Sequence, residues 1–196
     1  MLPLLLTIAG LVVLTQVLHK VYIGIYEIYF MKGFNLVERY GKGSTVVITG
    51  GSDGIGLAYA HKFASQGFNL VLIAQTLEKL QKRAEQILEQ YPNIQIRTIA
   101  TDLSKNTNSY YTELLGEIKL ANVSLLVNCA GIKVGNLASE PLERLRDSIL
   151  VNGVAAMMLT RNFIFKYKPE LPTRKAIINI STHCEQLETS VNSIYN

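Results

Sequence analysis

The chain has 196 residues, 48% of them hydrophobic, which is enough for one domain with a packed core. Its net charge is +4, and no Lys/Arg run interleaved with aromatics occurs, which argues against nucleic acid as a partner. The two cysteines (Cys129, Cys184) and three histidines (His19, His61, His183) lack metal-ligand spacing, so neither a metal site nor a disulfide framework is expected.

Leu2 to Leu18 carries no charge and is mostly Leu, Ile and Val, and the apolar character resumes after His19-Lys20. A cleaved signal peptide would place basic residues ahead of the apolar run, and a buried core helix would keep one polar face. A membrane anchor over residues 1–31 fits better, because the first run nears the length a transmembrane helix needs. Lys20, Lys32, Arg39 and Lys42 follow the run, which puts the rest of the chain on the cytosolic side. Tyr22, Tyr26, Tyr29 and Phe30 recur near helical spacing. They suit the headgroup layer, or packing against the globular part. Residues 32–44, ending in Gly41-Lys42-Gly43-Ser44, read as a linker and hinge.

The globular part opens with Thr45-Val46-Val47-Ile48, a β-branched run that predicts a buried strand. Thr49-Gly50-Gly51-Ser52-Asp53-Gly54-Ile55-Gly56 follows, and Leu57 to Ala64 reads as a helix. A glycine-rich turn from strand into helix lets a diphosphate approach without meeting a Cβ atom, against free amides and the positive end of the helix dipole. Gly67 then caps the helix, and Phe68 to Ile73 reads as a second strand. The whole has the length of a βαβ crossover, about 30 residues. Gly50, Ser52, Asp53, Gly54, Ile55 and Gly56 are thus candidate cofactor-binding residues.

A helix from Leu77 to about Glu89 places Leu77, Leu80, Ala84, Ile87 and Leu88 on one face, and Pro92-Asn93 ends it. Ile94 to Ile99 reads as the third strand, with Asp102 beyond it. A helix from Asn108 to Lys119 precedes the fourth strand, Ser124 to Val127, which leads into Asn128-Cys129-Ala130-Gly131. A helix from Pro141 through Asn152 to Phe165 and a fifth strand, Lys175 to Ile180, complete the pattern. Alternating strands and helices predict a parallel, doubly wound sheet whose ligands sit at the C-terminal strand ends. The glycine turn, Asp102, Asn128 to Gly131 and Ser181-Thr182 all fall there.

These motifs resemble the short-chain dehydrogenase/reductase family, over residues from about 45 to 196. Thr49-Gly50-x-x-x-Gly54-x-Gly56 resembles its coenzyme turn, and Asn128-Cys129-Ala130-Gly131 its Asn-Asn-Ala-Gly stretch. The resemblance implies an α/β fold. It is a Rossmann-type doubly wound sheet of about five strands, preceded by the N-terminal transmembrane helix, with residues 45–196 as an NAD(P)-binding domain. It implies that Asp102 holds the adenine ring and that Asn128, Ala130 and Gly131 line the coenzyme. Asn152 would hold a structural water in a proton relay. Tyr195 would be the catalytic tyrosine, with Thr182, thirteen residues earlier, in the partner serine's place.

The anchor and Gly51-Ser52-Asp53-Gly54-Ile55-Gly56 narrow the resemblance to the membrane-bound hydroxysteroid dehydrogenases and very-long-chain 3-oxoacyl-CoA reductases of the endoplasmic reticulum. It implies reduction of a carbonyl on a hydrophobic small molecule with NADP(H). At the end of the second strand Gln75 stands where an acidic residue would select NAD and an arginine NADP. The missing carboxylate leans towards NADP(H), with NAD(H) left open. The family's lysine would lie four residues after Tyr195, past Asn196. Its ammonium would lower the tyrosine pKa from about 10. The chain is therefore expected to be truncated after the tyrosine position, with an open sheet edge compatible with a homo-oligomer. The alternative reading is a catalytically inactive nucleotide-binding or interaction protein. A product that never folds stably is a third.

Overall fold

The structure, a computed structural model, describes residues 2–30, 33, 35–105, 108–118, 123–135, 139–165 and 174–181. The chain divides into two compact units, residues 1–35 and 36–196.

The first unit is one helix, α1 (Leu2–Tyr29), which passes through His19-Lys20 without a break. Its stretch Leu6–Tyr29 is long and apolar enough to cross a membrane, with a mean hydropathy of 1.7 and none of it buried. The Thr7 and Thr15 hydroxyls donate to the carbonyls of Pro3 and Val12, which satisfies them inside an apolar helix. Tyr22 stacks on Tyr26 at 6.2 Å and Tyr26 on Phe30 at 5.9 Å, a ladder along one side of the helix's C-terminal part.

The second unit starts earlier than the sequence pattern indicates. A short helix, α2 (Leu36–Tyr40), occupies part of the segment read as a linker. Leu36, Val37 and Tyr40 pack against the core, so these residues belong to the folded body. Gly41 and Gly43, at φ 92° and 72°, then turn the chain into the sheet.

The elements follow in order as β1 (Thr45–Thr49), α3 (Gly54–Ala64), β2 (Asn69–Ala74), α4 (Leu77–Gln90), β3 (Ile96–Ala100), α5 (Asn108–Glu117) and β4 (Val123–Asn128). Then come α6 (Leu142–Ile149), a π-helical segment Leu150–Ala155, α7 (Ala156–Phe165) and β5 (Ala176–Asn179). The five strands run parallel in the order β3-β2-β1-β4-β5. The central strand β1 shows the period of two: Val46 and Ile48 point into one core, Val47 into the other. The first core is closed by α3 and α4, the second by α5, the π segment and α7.

Helix residues Leu142–Phe165 pass a length-and-hydropathy test for a membrane span. Val151, Ala155, Leu159 and Phe163 are nevertheless buried in the core against the sheet, which accounts for their apolar character. At the bottom of the sheet the β1–β4 register slips by one residue at Ser124. The Ser124 hydroxyl is buried and pairs with that of Ser44 at 2.8 Å.

Leu72 in β2 has no solvent exposure, whereas Leu142 is 81% exposed. Leu72→Ala is expected to lower the unfolding free energy by about 2–5 kcal/mol in denaturant melts. Leu142→Ala is expected to change it by less than about 0.5 kcal/mol.

Candidate functional site

The strand order reverses at β1, which has β2 on one side and β4 on the other. Ligands of such sheets bind at the strand C-termini beside this reversal. The turn leaving β1 is pinned from below: the Gly50 amide donates to the Ile73 carbonyl at 2.8 Å and the Gly51 amide to the same atom at 3.3 Å. Gly50 has φ 70°, and a Cβ there would lie 2.9 Å from Ala130 Cα. A Cβ on Gly56 would lie 2.3 Å from the Gly50 carbonyl oxygen. These two glycines are required by close backbone packing.

Gly54 differs. Its φ is 52°, and a Cβ there would meet nothing within 4 Å, so the turn is open on this side. Helix geometry leaves the Ile55 and Gly56 amides without an intrahelical acceptor. An open face over first-turn amides fits a diphosphate. Asp53 is the N-cap of α3, and its Oδ1 accepts from the Gly54 amide at 2.8 Å. Its carboxylate thus acts as a helix cap and is no direct partner for an anion. Ile55 leaves an exposed apolar side chain beside the turn, and the Ser52 carbonyl accepts from Arg83 Nε at 3.3 Å.

Thr49 joins this turn to the end of β4. Its hydroxyl oxygen accepts from the Cys129 amide at 3.0 Å and the Ala130 amide at 3.1 Å, and its hydroxyl donates to the Val127 carbonyl at 3.4 Å. A cleft of about 180 Å³ opens above, bringing Gly50, Gln75, Asp102, Ala130 and Gly131 together. An adjoining pocket of about 220 Å³ is lined by Asn128, Asn152, Asn179 and Ser181. The two share Leu103, Ala130 and Val151 as walls. Thr182 and Tyr195 lie outside the described residues.

Two asparagines expected at the site make hydrogen bonds within the fold. Asn128 is buried, and its Nδ2 donates to Asn179 Oδ1 at 2.8 Å and to Thr160 Oγ1 at 3.0 Å. The side chain straps β4 to β5 and α7, so its donors are spent within the fold. Its Oδ1 has no partner among the described residues, which leaves a buried acceptor in a wall of the inner pocket. Asn152 clasps one residue with both ends of its amide: Oδ1 accepts from the Ile132 amide at 2.7 Å, and Nδ2 donates to the Ile132 carbonyl at 3.0 Å. This clasp uses one lone pair of Oδ1 and one N–H of Nδ2. It fixes the loop after Gly131 to the π segment, a local irregularity of the kind that recurs at functional sites.

The loop after β3 is held just as firmly. Asp102 Oδ1 accepts from the Ser104 amide at 2.9 Å. The Tyr110 hydroxyl donates to the Asp102 carbonyl at 2.8 Å, and the Tyr111 hydroxyl to the Leu103 carbonyl at 2.9 Å. Burial raises both phenols, Tyr111 to about 12, so they remain donors at neutral pH. Burial also raises the Cys129 thiol, which lowers its thiolate fraction at neutral pH. Thr49, Arg83, Tyr110 and Tyr111 are absent from the candidate set read from the sequence. Only Thr49 carried a signal, as the first residue of the glycine motif.

The profile of the short-chain dehydrogenase family matches residues 44–196, and the chain belongs to that family. Among curated relatives, a very-long-chain 3-oxoacyl-CoA reductase of Caenorhabditis briggsae is 32% identical over 169 residues, covering 83% of this chain and 52% of the relative. A reductase of the same name from Debaryomyces hansenii is 38% identical over 130 residues, covering 63% of this chain and 37% of the relative. Among solved structures, a short-chain dehydrogenase from Sphingobium yanoikuyae in complex with NADPH superposes with a TM-score of 0.67 at 28% identity, covering 78% of this chain and 59% of that one. The chain spans about half the length of the curated relatives it matches.

Thr49→Val removes the acceptor for two amides and is expected to cost about 1–3 kcal/mol in thermal or denaturant melts. Thr49→Ser keeps the hydroxyl and is expected to lose less than half of that. Equal losses would show that the hydroxyl does not hold the two strand ends together.

Proposed function

We propose that this chain is a membrane-anchored, NADP(H)-dependent oxidoreductase of the short-chain dehydrogenase type that reduces a carbonyl on a hydrophobic substrate, a 3-oxoacyl-CoA or a ketosteroid. The observation that carries this reading is the convergence of Gly50, Gln75, Asp102, Ala130 and Gly131 on one cleft at the reversal of the sheet, beside an open glycine turn. The named reductases among its relatives, and the NADPH held by one structural relative, support it. An apolar helix suits substrates that partition into lipid, and the basic residues after it support a globular part in the cytosol; the endoplasmic reticulum as the membrane rests on the resemblance to its reductases.

When bound, the coenzyme supplies the hydride. The first-turn amides of α3 and the open side of Gly54 would receive its diphosphate. Asp102 and Gln75 would border its adenosine half. The Asn152–Ile132 clasp sets the loop that walls the cleft. In the family pattern Thr182 polarises the substrate carbonyl, and Tyr195 gives the proton to its oxygen. A neutral tyrosine can serve reduction in this way.

Thr182 also motivates a second reading. Its γ-methyl is an extra group where the family has a serine, and β-branching restricts χ1. A protein that binds the nucleotide without turnover fits that substitution.

The test uses the full chain in lipid nanodiscs. NADPH is expected to bind with a dissociation constant between about 1 μM and 1 mM, and a long-chain 3-oxoacyl-CoA or a ketosteroid to cause loss of NADPH absorbance. Binding without turnover supports the second reading. Absence of binding overturns both.

A further inference from the structure

Resting on the coenzyme reading above, we propose that Arg83 is the residue that selects the phosphorylated coenzyme, its guanidinium meeting the 2′-phosphate of NADP(H). In dinucleotide-binding sheets the ribose 2′ position lies between the glycine turn and the end of the second strand. A carboxylate there takes the hydroxyls of NAD, and a nearby arginine takes the phosphate of NADP. In this chain the strand end offers only the neutral Gln75. By that residue alone the site has no charge with which to discriminate.

Arg83 brings one from another element. It lies on the second turn of α4, the helix that begins directly after Gln75-Thr76. Its Nε donates to the carbonyl of Ser52, within the glycine turn, at 3.3 Å. Its Nη1 donates to Gln86 Oε1 at 3.0 Å. The side chain thus reaches back from α4 to the turn, bridging the two elements that flank the ribose position.

Its electrostatic state fits the role. Both of its partners are neutral acceptors, so its charge is fixed in place without being cancelled. It takes no part in the ion pairs Arg97–Glu117 and Arg144–Glu140. A guanidinium carries five N–H donors. The two hydrogen bonds it makes among the described residues leave donors for phosphate oxygens. A cation held half-buried beside an anion-binding turn, with no carboxylate partner, is preorganised for a second anion.

A purely structural part for Arg83, tying α4 to the turn, predicts a different outcome, because the diphosphate seat is common to both coenzymes. The experiment titrates NADPH, NADH, 2′,5′-ADP and 5′-ADP into the full chain in nanodiscs, for the unaltered protein, Arg83→Gln and Arg83→Lys. Loss of a charge-assisted contact is expected to weaken NADPH and 2′,5′-ADP about tenfold or more in Arg83→Gln. NADH and 5′-ADP are expected to change less than about twofold, and Arg83→Lys to recover part of the loss. Equal weakening of phosphorylated and unphosphorylated ligands in both variants would overturn the proposal, as would no change in either. An unaltered chain that prefers NADH overturns it while leaving a coenzyme site standing. An unaltered chain that binds none of the four overturns the coenzyme reading as well.

Discussion

Two backbone contacts govern the rest of the molecule: Gly50 lying against Ala130, and Gly56 lying against the Gly50 carbonyl. Neither leaves space for a β-carbon. Together they draw the ends of β1 and β4 and the start of α3 into one small volume. The Thr49 hydroxyl then satisfies the two amides that this approach would otherwise strand. The cleft exists because the first crossover helix begins so close to the sheet.

The clamps around that cleft share one logic. Asn152 grips the backbone of Ile132, Tyr110 and Tyr111 grip consecutive carbonyls after β3, and Asn128 ties β4 to β5. Asn152, Tyr110 and Tyr111 each use a helix side chain to fix a loop that lines the cleft or its neighbouring pocket, and Asn128 fixes the strands beneath. Loops at the strand ends are where such folds keep their chemistry, and they serve it only if held still. The site is therefore a set of rigid loops over a rigid sheet, open at Gly54 where a ligand would enter.

Much of this was legible in the residues. All five strands are legible to within a residue or two: β1, β2 and β4 are buried on both faces and leave continuous apolar signals, and β3 and β5 show as shorter β-branched runs. The glycine turn was legible because its spacing has a steric cause. Other features left no local trace. The helix Leu36–Tyr40 is too short to show a period, so its residues read as a linker. The π segment was missed because its hydrogen bonding has no residue signature of its own. Asn128 and Asn152 stood out as site residues, yet how their amides are used depends on Asn179, Thr160 and Ile132, far off in sequence. Arg83 carries no local signal, because the contact that marks it is with Ser52, far off in sequence.

The central claim is that a dinucleotide lies across the ends of β1 and β4 with its diphosphate on the first turn of α3. The direct measurement is the amide spectrum of the isotope-labelled chain in nanodiscs, recorded while NADPH is added. The account predicts saturable shifts at Gly54, Ile55 and Gly56 together with Asp102, Ala130 and Gly131. Shifts confined to other residues, or none at saturating nucleotide, would contradict it.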